Sequence, residues 1–176
     1  GVELSQRDTD LVLIEVGSPR LETRTEKVGR AYLNWIADDQ FVVSSEYAQE
    51  DFKRNFVPGQ ANSNRPAALK TQRLPLTFRY WLPGGFYTEL KSTHVVQDVT
   101  NVLSPSGTRA HTDEFLITDV ALGYTRSRYL RFVELRFLNV FDETFRFQAT
   151  DFGTGQAVTT PYYPEPAVFA TARVIF

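Results

Sequence analysis

Apolar side chains recur at every second position through most of this chain. Leu74, Leu76, Phe78, Tyr80 and Leu82 fall on one face of a run whose other face carries Arg73, Thr77 and Arg79, the period-two signature of a β-strand. Leu116, Val120, Leu122 and Tyr124 alternate with Ile117, Asp119, Ala121 and Gly123. Val133-Glu134-Leu135-Arg136-Phe137 alternates apolar and charged without a break, and Val168, Ala170, Ala172, Val174 and Phe176 oppose Phe169, Thr171, Arg173 and Ile175. Further runs lie at Leu11–Val16, Lys27–Ala37, Phe41–Gln49 and Phe86–Gln97. The pattern predicts about eight strands and no helix, an all-β chain. Pro75 interrupts the best run, and because proline has no N–H for a ladder, either a bulge or a strand start at Leu76 is expected there.

The links have a pattern of their own. Ala37–Gln40, Pro83–Gly85 and Thr125–Arg128 read as tight turns, whereas Glu50–Lys70, Asp98–Asp113 and Asp142–Glu165 read as long polar loops. Short and long links alternate, so an up-and-down meander would gather the short turns at one end and the long loops at the other. Outer-membrane barrels sort their links this way, with short periplasmic turns and long outer loops. Counted back from a periplasmic Phe176, the three tight links fall on the periplasmic side.

Alternation alone does not say which face is wet. A soluble sheet hides its apolar face, and a membrane barrel turns the same face outward to hydrocarbon. Strands of about 9–11 residues suit a tilted span of the bilayer better than a soluble sheet. Aromatic residues gather near strand ends, at Tyr32 and Trp35, Tyr80 and Trp81, Phe86 and Tyr87, and Tyr124 and Tyr129, where a barrel places its interfacial girdle. With the apolar set outward, the inward set holds Arg30, Glu46, Arg73, Arg79, Glu89, Lys91, Asp119, Glu134, Arg136 and Arg173. Neighbouring opposite charges on such a wall could pair across the ladder. The competing expectation is a soluble β-sandwich binding module with those charges in water.

Composition narrows the choice. The 176 residues are enough for a single domain, taken as residues 1–176. No apolar run approaches the roughly 18 residues of a membrane helix. A net charge of −2 supplies no field for nucleic acid. Without cysteine there is no disulfide frame or thiol nucleophile. A chain opening on Gly1 with no leader reads as processed or as a fragment.

Chemistry is sparse. Ser92 and His94 share a strand face, but an i, i+2 pair with no orienting third group does not make a nucleophile–base couple. His111-Thr112-Asp113-Glu114, read as a loop, lacks a second cluster to hold a cation. Gly153-Thr154-Gly155 lacks the strand-then-helix setting of a phosphate cradle. No catalytic, metal or cofactor residues are expected, and the chain reads as a non-enzyme.

The last third resembles a known family. Phe132-Val133-Glu134-Leu135-Arg136-Phe137-Leu138-Asn139-Val140-Phe141-Asp142-Glu143-Thr144-Phe145 is similar to the penultimate strand of TonB-dependent outer-membrane receptors, which runs into Asn-Leu-Phe-Asp and an aromatic; Val140 stands at the Leu. Asp119–Tyr124 resembles the strand before it. Pro164–Ala170 resembles the entry to the last strand, with Glu165-Pro166 where the family has Gly-Arg. Phe145–Asp151 also resembles barrels fused behind tetratricopeptide repeats. The resemblance covers Phe115–Phe176 well, and no stretch resembles a plug domain or TonB box.

That resemblance implies an antiparallel up-and-down transmembrane β-barrel of the bacterial outer membrane, either complete with eight strands or the C-terminal part of a wider one. It implies a porin or transporter role, with Arg73, Arg79, Glu89, Lys91, Asp119, Glu134, Arg136 and Arg173 lining the lumen. Val174 and Phe176 would form the signal read by the barrel-assembly machinery. The other partners implied are outer-membrane lipid and an upstream periplasmic repeat or plug domain. A binding or adhesion barrel working through its outer loops is the alternative.

Overall fold

Eight antiparallel strands form one sheet in chain order: β1 (Val2–Glu15), β2 (Ser18–Ile36), β3 (Phe41–Asn55), β4 (Pro66–Trp81), β5 (Phe86–Leu103), β6 (Gly107–Tyr124), β7 (Leu130–Leu138) and β8 (Ala167–Val174). The structure, a computed structural model, describes residues 1–15, 18–55, 66–103, 107–125, 130–144 and 165–174, and no helix occurs among them. Each strand pairs only with its neighbours in the chain, and the sheet is not closed: β1 and β8 are its edges.

The strands are longer than the alternating runs. β2 has 19 residues, and β5 and β6 have 18 each. β1 begins at Val2 rather than Leu11, Glu50–Asn55 continues β3, and Pro66–Lys70 opens β4. The expected loop Asp98–Asp113 is mostly strand, with Leu103 facing Gly107 across residues 104–106. β1 and β2 likewise meet across residues 16–17. Short links therefore occur at both ends of the sheet, and the strict alternation of short and long links does not hold. In these strand ends polar residues outnumber apolar ones, and the apolar ones of β3 to β5, Phe52, Leu69 and Val99, do not continue the alternating face below, while the backbone ladder pairs them all the same. Most of Asp142–Glu165, and Tyr129 with it, lies outside the described residues.

Pro75 causes neither a bulge nor a strand start. The β4–β5 register runs unbroken from Ala68↔Thr100 to Trp81↔Tyr87. Between β3 and β4 the register is in step on both sides, Ser45↔Leu76 and Ala48↔Arg73, with no pairing between them. The absent N–H removes ladder bonds to β3 and leaves the phase unchanged. Register shifts occur instead at Pro66/Ala68 and at Leu130/Phe132.

The strands slip steadily past one another. One tight link closes where Ala37 N–H donates to Phe41 O at 3.0 Å, and Phe41 is in register through Tyr80 and Thr88 with Leu122. The next closes where Leu82 N–H donates to Phe86 O at 2.8 Å, in register with Tyr124. Moving two strands across thus moves the turn two residues along. A slip of about one residue per strand, ~3.3 Å along for ~4.8 Å across, corresponds to a tilt of roughly 35°, near the range of barrel strands.

The turns follow from their residues. Asp38 Oδ1 accepts from Gln40 N–H at 2.8 Å and from Phe41 N–H at 2.7 Å, an Asx turn. Gly84 and Gly85 take φ of 98° and 94° after Pro83, which side chains with a Cβ resist. Asn139, at φ 49° and 2% exposed, ends β7. Its amide clamps the main chain of Glu143 at both ends, at 2.9 Å each, and its own N–H donates to Asp119 Oδ1 at 3.0 Å.

Candidate functional site

Register places all ten charged residues of the expected inward set on one face of the sheet, here the Arg79 face. The opposite, Leu76 face carries the alternating apolar residues. In β4 to β6 near the tight links, the Leu76 face is the more exposed one. Leu74, Leu76, Phe78, Tyr80 and Leu82 are 37–46% exposed, and Phe86, Leu90, Leu116, Leu122 and Val168 join them. On the Arg79 face, Glu89 is 4% exposed and Ala121 only 1%. A soluble sheet has the reverse arrangement.

Farther from the tight links the polarity changes sides. On the Arg79 face Phe52, Leu69 and Val99 form one buried cluster, and Val95 and Phe115 with Ile117 a second. The Leu76 face of the same strands now bears Gln49, Asp51, Lys53, Lys70, Gln72, Asp98, Thr112 and Glu114. The border runs near Tyr47, Leu74, His94 and Leu116. One set of strands, with no change of phase, carries its apolar side chains on the Leu76 face below that border and on the Arg79 face above it.

At the lower level the charges are joined. Glu89 accepts from Arg79 Nε at 2.9 Å and lies 3.2 Å from Arg136 Nη2. Arg136 also bonds Glu134 at 3.0 Å, and Tyr87 donates its phenol to Glu134 at 2.6 Å. The Arg79 guanidinium lies 5.6 Å from the centre of the Trp81 ring and 5.4 Å from that of Tyr87. One network thus crosses β4, β5 and β7 on the face over β6, where only Ala121 and Gly123 intervene. Gly123 is needed there: a Cβ at that position would lie 2.2 Å from the Tyr87 ring. Gly123→Ala is expected to cost about 1–3 kcal/mol by overpacking and to break the Tyr87–Glu134 bond, which urea unfolding of Gly123→Ala beside Tyr87→Phe would measure.

The remaining expected residues are spread along the same face. Arg73 pairs with Glu50 of β3. Asp119 is in register with Lys91, but its carboxylate accepts from Asn139. Lys91 and Arg173 make no ion pair among the described residues. The side chain of Val174 and all of Phe176 lie outside the described residues, as does Gly153-Thr154-Gly155.

The aromatic girdle divides. Trp35, Tyr80, Phe86 and Tyr124 are on the Leu76 face, with Phe86 and Tyr124 ring centres 4.6 Å apart. Tyr32, Trp81 and Tyr87 are on the Arg79 face. Tyr87 in the network and Glu50 in its separate pair with Arg73 lie outside the expected set, although each follows the alternation, Tyr87 two residues before Glu89 and Glu50 two before Phe52.

Ser92 and His94 do not meet. Ser92 Oγ is 3.2 Å from Thr118 Oγ1, and His94 Nε2 is 2.9 Å from Glu114 Oε1. His111–Glu114 is part of β6 rather than a loop, and no group of metal-ligating side chains is found among the described residues. Above the border, Gln6 donates to Asp8 at 3.0 Å, and with the Thr25 hydroxyl it holds the Asp8 carboxyl below the usual carboxylate range. No family model matches the chain, and neither the curated proteins nor the solved structures contain a significant match to it.

Proposed function

We propose that this chain is a wall section of an up-and-down β-barrel in a bacterial outer membrane, whose charged face lines a passage for solute or polymer. The observation that carries the reading is the exchange of polarity between the two faces partway along the strands. Exposed Leu, Phe and Tyr opposite a buried Glu89 joined to partly exposed Arg79 and Arg136 suit a sheet with hydrocarbon on one side and water on the other. Where the strands continue beyond the bilayer, the outer face meets water and turns polar. The roughly 35° tilt agrees, and the Asn139-Val140-Phe141-Asp142 strand end resembles TonB-dependent receptors. The tight links at residues 37–40 and 82–85 then face the periplasm and the polar half faces outward, an orientation set by polarity rather than by loop length.

At the membrane level the wall is mostly charge-compensated, and among the described residues Lys91, midway along it, is a cation without an ion pair, as is Arg173 nearer the tight links. Lys91→Glu in a planar bilayer is expected to shift ion selectivity toward cations without altering the melting of the chain. A chain that inserts but never conducts would sink the passage, and one that stays soluble without detergent would sink the barrel.

A further inference from the structure

We infer that the Leu76 face carries a site for the phosphate of an anionic lipid, just above the apolar band; this rests on the membrane reading above. One cross-strand rung there reads Gln6, Lys27, Asp51, Lys70, Asp98 and Thr112. The rung above it adds Asp8, Thr25, Lys53 and Thr100. Between β3, β4 and β5 these rungs enclose a groove of about 280 Å³ lined by Gln49, Asp51, Lys53, Lys70, Asp98 and Thr100.

The hydrogen bonds decide the sign of the ligand. Both carboxylates already have donors: Gln49 Nε2 reaches Asp51 at 3.0 Å and the Thr112 hydroxyl reaches Asp98 at 2.6 Å. Gln49 is itself held by the Tyr47 hydroxyl at 3.2 Å, so the groove wall is tied to the aromatic edge of the band. Lys53 and Lys70 have neither a hydrogen bond nor an ion pair among the described residues. Asp51 and Asp98 offset the two lysines and the groove is near neutral as a whole, but its unused hydrogen-bond donors are the two ammoniums, which the several acceptor oxygens of a phosphate can take.

Height selects the source of that anion. Lys70 stands four residues above Leu74 on the same face, ~13 Å along the strand and ~11 Å in height at the tilt found here. A lysine stem that bends down toward the band brings its ammonium into the headgroup layer, about 5–7 Å thick. A lipid phosphate held there by two lysines has its acyl chains beside Leu74 and Leu116.

The test uses the full chain refolded into phosphatidylcholine vesicles holding spin-labelled phosphatidylglycerol, phosphatidylcholine or phosphatidylethanolamine. The motionally restricted signal reports lipid at the protein surface. The wild type should enrich phosphatidylglycerol over phosphatidylcholine. Lys53→Gln and Lys70→Gln should each reduce that preference roughly three- to fivefold at low salt, while Arg7→Gln on the opposite face leaves it unchanged. A preference that survives the double variant overturns the site, as does selective enrichment of phosphatidylethanolamine, which would assign the groove to its carboxylates. Restricted lipid with no headgroup preference overturns the site and leaves the membrane reading standing. No restricted signal for any lipid overturns both.

Discussion

Leu76→Arg should prevent the chain from refolding into lipid vesicles, while Gln72→Arg, on the same face four residues up the same strand, should refold normally. Leu76 is the second apolar residue of the Leu74–Leu82 run, two positions inside the border, and 38% exposed. An arginine on a barrel's outer surface costs roughly 2–4 kcal/mol at the middle of the bilayer and less toward its edges, so Phe78→Arg should be at least as damaging as Leu76→Arg. Gln72 lies above the border, where its neighbours on that face are Gln49 and Lys70, and a further cation there is already in water. Leu135→Arg should behave as Leu76→Arg does. Protease protection of the refolded chain reads the outcome. If arginine is tolerated equally at 72 and 76, the apolar band does not face lipid.

Glu89→Gln is expected to destabilise the inserted chain by roughly 2–3 kcal/mol, the next largest effect. Glu89 is the one carboxylate shared by Arg79 and Arg136, and its side chain is 5% exposed. Stranding a fully buried charge costs about 3–5 kcal/mol, and the lower figure reflects the water that still reaches the Arg79 side chain, 40% exposed. Urea unfolding in detergent measures it. The double variant with Arg79→Gln should recover part of the loss, because it removes the charge left without a partner. Loss with no recovery in the double variant would mean that Glu89 acts through packing alone.

The partition of the charges onto a single face was legible in the residues. Arg79, Glu89, Glu134 and Arg136 alternate with Leu, Phe and Val in three strands, and the pleat sends alternate side chains to opposite sides whatever the strands later pair with. The strand number and the absence of helix follow from the same period. The lengths were not legible, because at the far ends of β3 to β6 polar residues occupy most positions and the apolar ones, Phe52, Leu69 and Val99, sit on the face opposite to the apolar run below, so the period of that run does not carry through. For the same reason Asp98–Asp113 reads as a loop and is a hairpin.

Pro75 taught the opposite lesson. A residue barred from donating suggested a break, yet bonding on its β5 side and regular pairing above and below on β3 hold the strand in phase. Which face is covered, which carboxylate meets which arginine, and where polarity changes sides are properties of several strands at once. Tyr87 reaches Glu134 across 47 residues of chain, over a glycine on the strand between them. The local period puts each of these groups on its face, and the alignment of strands far apart in sequence brings them within bonding distance, because each step of register moves a side chain by a residue along its neighbour and flips it to the other side.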